Sequence, residues 1–366
     1  MQEIAFFIYC LNGRGQSKVM SDIAGGLAQK GYKVTFFYTK LDNDIFIKRY
    51  KDLVEFKKIN SAGRFKSVLE LRKIIKKNEF DVFFTAGNDN NCSVVLARYN
   101  LKINTKFIIT EHNALSQVIA NSKKPFIGVL RIFVKLLYKH SDVLVSVSNG
   151  IKNELDQEIK VNHKKSIVIY NPVVDDYLKA LSLEQVEHEW LNSDKKVFLG
   201  VGRLSIQKNF ELLIKAFKLI SDKDTYRLII LGDGDDREGL QRLIRELDLM
   251  DKVELYGRTD NPYAFMRNAN CFVLSSKFEG LPTVLIEALA CNLPIVSTNC
   301  PHGASEILED GKWGRLVPVN DEKALALAME ATINEPKKNL EKRANAFTYD
   351  KSIQEYEALL NNLSES

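Results

Sequence analysis

Short apolar, β-branched runs alternate with amphipathic helical stretches along almost the whole chain, and the alternation runs twice. In the N-terminal half, Ile4–Tyr9 reads as a strand, followed by a turn at Asn12-Gly13-Arg14-Gly15 and a helix through about Gln29. Lys33–Tyr38, Asp81–Thr85, Lys106–Thr110, Asp142–Val147 and Ser166–Tyr170 read as further strands, with helical spacing at Phe65–Lys77 and Pro125–Tyr138. A parallel strand is reached only by a crossover long enough to hold a helix, so this order implies βαβ units and a parallel sheet. The pattern weakens over 173–195 and then restarts. Strands follow at Val197–Val201, Tyr226–Leu231, Val253–Tyr256, Cys271–Leu274 and Pro294–Ser297. Helices lie between them at Phe210–Ile220, Asp236–Leu247, Pro262–Arg267 and Thr283–Cys291, and Asp350–Leu363 reads as one more. The fold class expected is α/β: two doubly wound, Rossmann-like parallel-sheet domains facing a central cleft, with ligands at the carboxyl ends of the strands. The expected division is 1–172, a connection over 173–196, a second domain over 197–345, and a C-terminal helix over 346–366 packing back on the first domain.

Hydrophobic residues make up 45% of the chain and charged residues 27%, which excludes a disordered protein. No run of about 18 uncharged apolar residues is present, so no membrane-spanning helix is expected. The first residues, MQEIAFFIYC, carry an acid where a secretory leader carries bases, so they read as a strand of a cytoplasmic protein. Cys10, Cys92, Cys271, Cys291 and Cys300 are odd in number, widely spaced and without a C-x-x-C. They read as reduced core thiols, against a zinc site or a disulfide framework.

Charge is uneven: residues 1–170 hold 28 Lys and Arg against 15 Asp and Glu, net +13, while the remainder holds 24 against 32, net −8. A basic half-chain points to an anionic partner: a membrane face, a phosphate-bearing substrate or nucleic acid. Two stretches concentrate the cations, Arg64–Lys77 and Lys123–Lys139. The second sets Lys123, Lys124, Arg131, Lys135 and Lys139 beside Phe126, Ile127, Leu130, Phe133, Val134 and Leu137. It reads either as a helix packing its apolar face on the sheet, or as a surface for an anionic leaflet or lipid diphosphate.

The most specific motif is Glu279-Gly280-Leu281-Pro282-Thr283-Val284-Leu285-Ile286-Glu287. Pro282 favours a helix start at Thr283, which leaves Glu279 in the preceding loop and Glu287 a little over one turn inside. Free N–H groups at a helix start suit a diphosphate. A carboxylate beside them is electrostatically poor unless it binds hydroxyls, which sugars and ribose supply. Upstream, Arg203 follows a strand end and Lys208 precedes a helix in Gly202-Arg203-Leu204-Ser205-Ile206-Gln207-Lys208, so both cations fall at the carboxyl edge.

FEGLPTVLIEALACNLPIV resembles the E-x7-E signature of family 4 glycosyltransferases, retaining enzymes of the GT-B fold. GRLSIQKNFELLIKAF, LGDGDDREGLQRLI, YGRTDNPYAFMRNANCFVLSS and GASEILEDGKWGRLVP are similar to that family's C-terminal, nucleotide-sugar-binding domain. IAFFIYCLNGRG, TEHN, DVLVSVSNGIKNEL and VIYNPV follow the order of its N-terminal, acceptor-binding domain. The bacterial subgroup that extends lipid-linked oligosaccharides, polysaccharide repeats or N-glycan precursors is the nearest match.

The resemblance assigns Glu279 to hydroxyls of the donor sugar, Glu287 to the nucleotide ribose, and Arg203 with Lys208 to the donor diphosphate. Gly280, Leu281, Pro282 and Thr283 belong to the same donor loop. Gly13, Arg14 and Gly15 occupy the phosphate turn, although Gly-Arg-Gly replaces the family's adjacent glycines. His112 corresponds to a position facing the donor sugar near the reacting carbon, with Glu111 beside it. Asn171 matches an Asn at the domain junction and reads equally as a turn-forming Asn-Pro. Arg258 and Thr259 lie where the family's main chain reads the base. The resemblance implies a UDP-linked donor, with GDP kept open, a saccharide or polyisoprenyl-diphosphate-linked acceptor, no cofactor, no metal and no nucleic acid. It places the enzyme in the cytoplasm or peripherally on the inner membrane. Two rival readings stand beside it: a sugar epimerase or phosphorylase using the same cleft, and a basic nucleic-acid binder, which leaves Glu279, Glu287, Arg203 and Lys208 without a role.

Overall fold

The computed structural model describes residues 2–12, 15–61, 63–121, 127–159, 165–220, 224–336 and 339–364. The chain divides into two units, Met1–Pro172 with Asp350–Ser366, and Val173–Tyr349.

The first unit runs β1 (Glu3–Leu11), α1 (Gly15–Gln29), β2 (Lys33–Leu41), α2 (Ile45–Tyr50), β3 (Val54–Lys58), α3 (Arg64–Lys77), β4 (Val82–Ala86), α4 (Asn88–Arg98), β5 (Lys106–Glu111), α5 (Leu115–Ala120), α6 (Gly128–Leu137), β6 (Val143–Ser146), α7 (Asn149–Ile159) and β7 (Ser166–Val168). Its seven strands are ordered β3-β2-β1-β4-β5-β6-β7 and pair in parallel. Aromatic rings hold the centre of this sheet: Phe6 stacks on Phe36 at 5.7 Å and on Phe84 at 4.7 Å, and Phe83 stacks on Phe107 at 5.6 Å. Each of these rings is buried, and burying one contributes about 1.5–3 kcal/mol.

The second unit runs α8 (Asp176–Ser182), β8 (Lys196–Val201), α9 (Phe210–Leu219), β9 (Tyr226–Leu231), α10 (Arg237–Glu246), β10 (Val253–Gly257), α11 (Pro262–Asn268), β11 (Cys271–Leu274), α12 (Thr283–Ala290), β12 (Ile295–Thr298), α13 (Ala304–Ile307), β13 (Arg315–Val317), α14 (Glu322–Ile333) and α15 (Glu341–Ala344). Its strands are ordered β10-β9-β8-β11-β12-β13, again in parallel. The last helix, α16 (Tyr349–Ser364), returns the chain to the first unit. There the Ser352 hydroxyl donates to the Tyr170 carbonyl at 2.8 Å, and Tyr356 packs edge-on to Phe84.

Both sheets therefore reverse their strand order once, the first between β1 and β4 and the second between β8 and β11. Such a reversal opens a crevice beyond the carboxyl ends of the two strands, because their following helices leave on opposite faces.

Several elements differ from the sequence expectation. The alternation missed α2 and β3, because VEFKK is an edge strand whose Glu55, Lys57 and Lys58 are exposed. It also stopped before β13, only three residues long, and α14, whose Ala-rich run carries no strong apolar contrast. Residues 173–196, expected as a connection, carry α8, capped by the Asp175 carboxylate accepting from Leu178 N–H at 2.8 Å, and this stretch packs as part of the second unit. Along Gly128–Leu137 only Val134 is buried, while Val129, Ile132, Phe133 and Leu136 are exposed, at i, i+3, i+4 and i+7. Of the apolar residues that the sequence sets beside these cations, Phe133 is 49% exposed and Val134 is buried.

Candidate functional site

In the second unit the loops after β8 and β11 meet at the reversal of strand order. Lys208 Nζ donates to Glu279 Oε1 at 2.7 Å, and the Ser276 hydroxyl donates to the same oxygen at 2.6 Å. The two backbones are tied as well. Ser275 Oγ donates to the Lys208 carbonyl at 2.8 Å, Lys277 N–H to the Gln207 carbonyl at 2.8 Å, and Gln207 Nε2 to the Phe278 carbonyl at 3.0 Å. The Lys208 and Glu279 side chains are 16% and 8% exposed, so the pair is largely withdrawn from water yet open on one side. Gly202 accounts for the path of Lys208: a Cβ there would stand 3.1 Å from the Lys208 methylenes, so the lysine stem lies across that backbone.

Glu279 leads into α12. Pro282 sits at the cap position, one residue before the first helical turn, and gives no side-chain cap. The Gly280-Leu281-Pro282 turn rests on Gly303, which has φ +82; a Cβ there would lie 2.7 Å from Pro282 Cδ and 2.8 Å from the Gly280 carbonyl oxygen. Glu279 N–H donates to the Pro301 carbonyl at 3.3 Å, completing the support from below. Burial first, then the Glu279 carboxylate, push the Cys300 thiol up to about 12, with Lys208 opposing.

Other expected residues stand around this pair. Arg203 follows β8 and is exposed, and Thr283 opens α12. Glu287 is half-buried one turn inside α12. Arg258 lies farther along the same edge, after β10, with Nε 3.7 Å from Asp233 Oδ2; the hydroxyl of Thr259 accepts from Asn261 N–H at 3.2 Å. The structure thus joins Lys208 to Glu279 directly and leaves Arg258 at the β9–β10 end of the edge.

In the first unit, Gly13 and Arg14 lie outside the described residues. Gly15 begins α1 with φ +45, and Ser17 braces the turn by accepting from Asn12 N–H at 3.0 Å and donating to the Cys10 carbonyl at 3.2 Å. His112 directly follows β5 and is 9% exposed, and its Nε2 lies 3.0 Å from Thr110 Oγ1. Thr110 Oγ1 also lies 3.2 Å from the Thr85 carbonyl oxygen. Burial drives the His112 pKa down to about 4, so the ring is neutral at physiological pH. Asn171 is buried, and with Pro172 it closes the first stretch of this unit.

A neutral imidazole, a carboxylate held beside an ammonium, and an uncapped helix start are groups that bind hydroxyls and anions. Comparison with known proteins names the family. The profile of glycosyltransferase family 4 matches residues 13–177, and that of the glycosyl transferases group 1 matches residues 184–349. The N-acetylgalactosamine-N,N'-diacetylbacillosaminyl-diphospho-undecaprenol 4-alpha-N-acetylgalactosaminyltransferase of Campylobacter jejuni is 30% identical over 365 residues, which is 95% of this chain and 96% of its own. The chain is a family 4 glycosyltransferase. An uncharacterized glycosyltransferase of Methanocaldococcus jannaschii is 36% identical over 251 residues, 66% of this chain and 61% of its own length. Among solved structures, HepE of Anabaena in complex with UDP-glucose is similar with a TM-score of 0.81 at 17% identity, covering 99% of this chain and 100% of that one, a likeness of fold. The fold is GT-B.

Some residues of the glycosyltransferase's site were not singled out by sequence reasoning. Ser276 and Gln207, the companions of Glu279, sit inside quoted motifs but carry no chemistry of their own. Gly303 is visible only as one glycine among 19. Glu111 was noted merely as a neighbour of His112, yet it is the more deeply buried of the two, at 1%.

Proposed function

We propose that this glycosyltransferase moves a hexosyl or N-acetylhexosaminyl group from a UDP-sugar to a saccharide carried on a lipid diphosphate, with retention at the anomeric carbon. The observation that carries the reading is the Lys208–Glu279 pair at the strand-order reversal, beside the start of α12. In this reading Glu279 accepts hydrogen bonds from hydroxyls of the donor sugar and Glu287 from the ribose. Lys208 and Arg203 take the diphosphate, together with the N–H groups after Pro282. Gly13, Arg14, Gly15 and Asn171 serve donor binding in the same reading, Arg258 and Thr259 read the base through the main chain, and His112 serves the donor sugar.

The anomeric C–O bond to phosphate breaks with its electron pair leaving on the diphosphate, through an oxocarbenium-like state. Lys208, Arg203 and the positive end of α12 stabilise that developing charge. The acceptor hydroxyl forms the new C–O bond on the face the diphosphate vacates and gives its proton to the departing phosphate oxygen. These cations do the work asked of a metal elsewhere, so turnover is expected to persist in EDTA.

The names of two relatives support the substrates: the Campylobacter enzyme's names an undecaprenyl diphosphate acceptor, and the Anabaena complex holds UDP-glucose. The exposed apolar stripe of α6, with Lys135 and Lys139 along one edge, fits docking on an anionic leaflet. Among the described residues, no helix is long and apolar enough to cross a membrane.

A thermal-shift panel of UDP-glucose, UDP-N-acetylglucosamine, UDP-N-acetylgalactosamine and GDP-mannose tests the donor. A donor at 100 times its Kd stabilises by about 2.7 kcal/mol. The expected result is a rise with at least one UDP-sugar that Glu279→Ala abolishes. No rise with any of them, or an unchanged rise in the variant, refutes the assignment.

A further inference from the structure

On the face of the first sheet opposite His112 lies a buried polar cluster that the transfer chemistry leaves unused. Glu111 ends β5, and its Oε1 accepts from Asn88 Nδ2 at 2.9 Å, from Asn91 Nδ2 at 2.7 Å and from the Tyr138 hydroxyl. Asn88 and Asn91 belong to the start of α4, and Tyr138 follows directly on α6. Asn91 Nδ2 also donates to the Thr110 carbonyl at 2.9 Å. Consecutive strand residues face opposite ways, so the side chain of Thr110 joins His112 on one face while that of Glu111 enters the helix layer on the other.

We infer that Glu111 is a positioning residue for His112: its carboxyl, gripped between the start of α4 and the end of α6, sets where β5 ends and so where the imidazole stands. The inference rests on the reading that His112 serves the donor sugar. Two segments converge on this one side chain of β5, and removing it releases both at the residue before His112.

Two buried acceptors of this cluster, Glu111 Oε2 and Asn91 Oδ1, have no hydrogen-bond donor. A proton on the carboxyl converts the first into a donor. The surroundings favour that proton: burial outweighs the hydrogen bonds from Tyr138, Asn91 and Asn88, Asp89 adds to it, and the carboxyl is held up at about 8. The titratable groups facing it are Tyr138 beyond α6 and Cys92 and Asp89 on α4. Burial holds the Tyr138 hydroxyl well above its ordinary value and the Cys92 thiol at about 12, while His112 stays neutral. Of the groups buried here, only Glu111 changes charge between pH 6 and 9.5. When it ionises, a carboxylate appears in a site without a counter-cation among the described residues, and the grip on β5 changes.

The test reads His112 directly. The full chain is labelled with ring-13C histidine, and the His112 signal, one of five, is assigned by its loss in His112→Gln. The expected result is a His112 chemical-shift change with a midpoint near pH 8, absent in Glu111→Gln. In Tyr138→Phe, which removes a hydrogen bond favouring the carboxylate, the midpoint moves to higher pH. A wild-type His112 signal that is constant from pH 6 to 9.5 overturns the inference, as does an unchanged titration in Glu111→Gln. UDP release from UDP-N-acetylgalactosamine is followed in the same samples. A midpoint near 8 in a protein that binds and turns over no UDP-sugar leaves Glu111 its role and removes the transfer reading.

Discussion

Replacing Lys208 by Met keeps the hydrocarbon stem across Gly202 and deletes the charge. Glu279, 8% exposed, then retains the Ser276 hydrogen bond at 2.6 Å and a 3.4 Å contact with Gln207 Nε2, but no cation at contact distance among the described residues. Removing one partner of a fully buried pair costs about 3–5 kcal/mol. The surviving hydrogen bond and the open side of this pair reduce that to about 2 kcal/mol. Glu279→Gln leaves a lysine that reaches solvent more easily, and about 1 kcal/mol is expected. The double variant removes both charges and should cost about 1 kcal/mol, a coupling of about 2 kcal/mol.

Both tryptophans, Trp190 and Trp313, lie in the second unit, so urea unfolding followed by their fluorescence reports that unit alone. Thermal midpoints should fall by about 4–8 °C for Lys208→Met. The same variant should lose about 10²–10³ in kcat at a temperature where it is fully folded, the scale for deleting one charge-stabilising contact in a transition state. Additivity of the two single variants to within about 0.5 kcal/mol would show that the pair is not coupled, and the argument that Lys208 holds Glu279 ready would fail.

Glu111 and His112 should shape stability against pH in opposite directions. The Glu111 carboxyl is raised in the folded state, so its contribution is intact below about pH 4.5 and declines as pH rises through about 8. His112 is lowered, so its contribution is intact above about 6.5 and declines as pH falls through about 4. Calorimetry of Glu111→Gln should lose the first decline and His112→Gln the second; variants that parallel the wild type across these windows contradict both. Gly303→Ala, at φ +82 with a Cβ against Pro282 and Gly280, should cost about 1–3 kcal/mol and weaken UDP-sugar stabilisation, and full stabilisation would show that the turn needs no such support. Phe133→Ser with Ile132→Ser should leave the melting temperature within about 1 °C, because both side chains are exposed, while sedimentation with phosphatidylglycerol liposomes drops. Unchanged sedimentation would exclude α6 as the docking surface.

Much of this architecture could be read along the chain. Each buried strand announces itself by a local apolar run, and the reversal of strand order follows once βαβ units are recognised. Lys208 and Glu279 were likewise visible as residues, but their contact joins positions 71 apart, which no local pattern encodes. The Glu111 cluster is harder still, since it gathers Asn88 and Asn91 of α4 with Tyr138 beyond α6, ordinary polar residues in their own segments. The two readings of α6 stayed open because helical periodicity fixes which residues share a stripe and not which stripe meets the sheet. Val134 and Tyr138 point inward, and the larger apolar stripe points out.

The return of α16 to the first unit has a consequence during synthesis. Val173–Tyr349 is one contiguous stretch and can close as soon as it leaves the ribosome. The first unit must wait for α16, since Phe84 and the carbonyl of Tyr170 gain their contacts with Tyr356 and Ser352 only after the whole second unit has been made. A premature stop near residue 350 would therefore spare the later-made half and leave the earlier-made one unfinished.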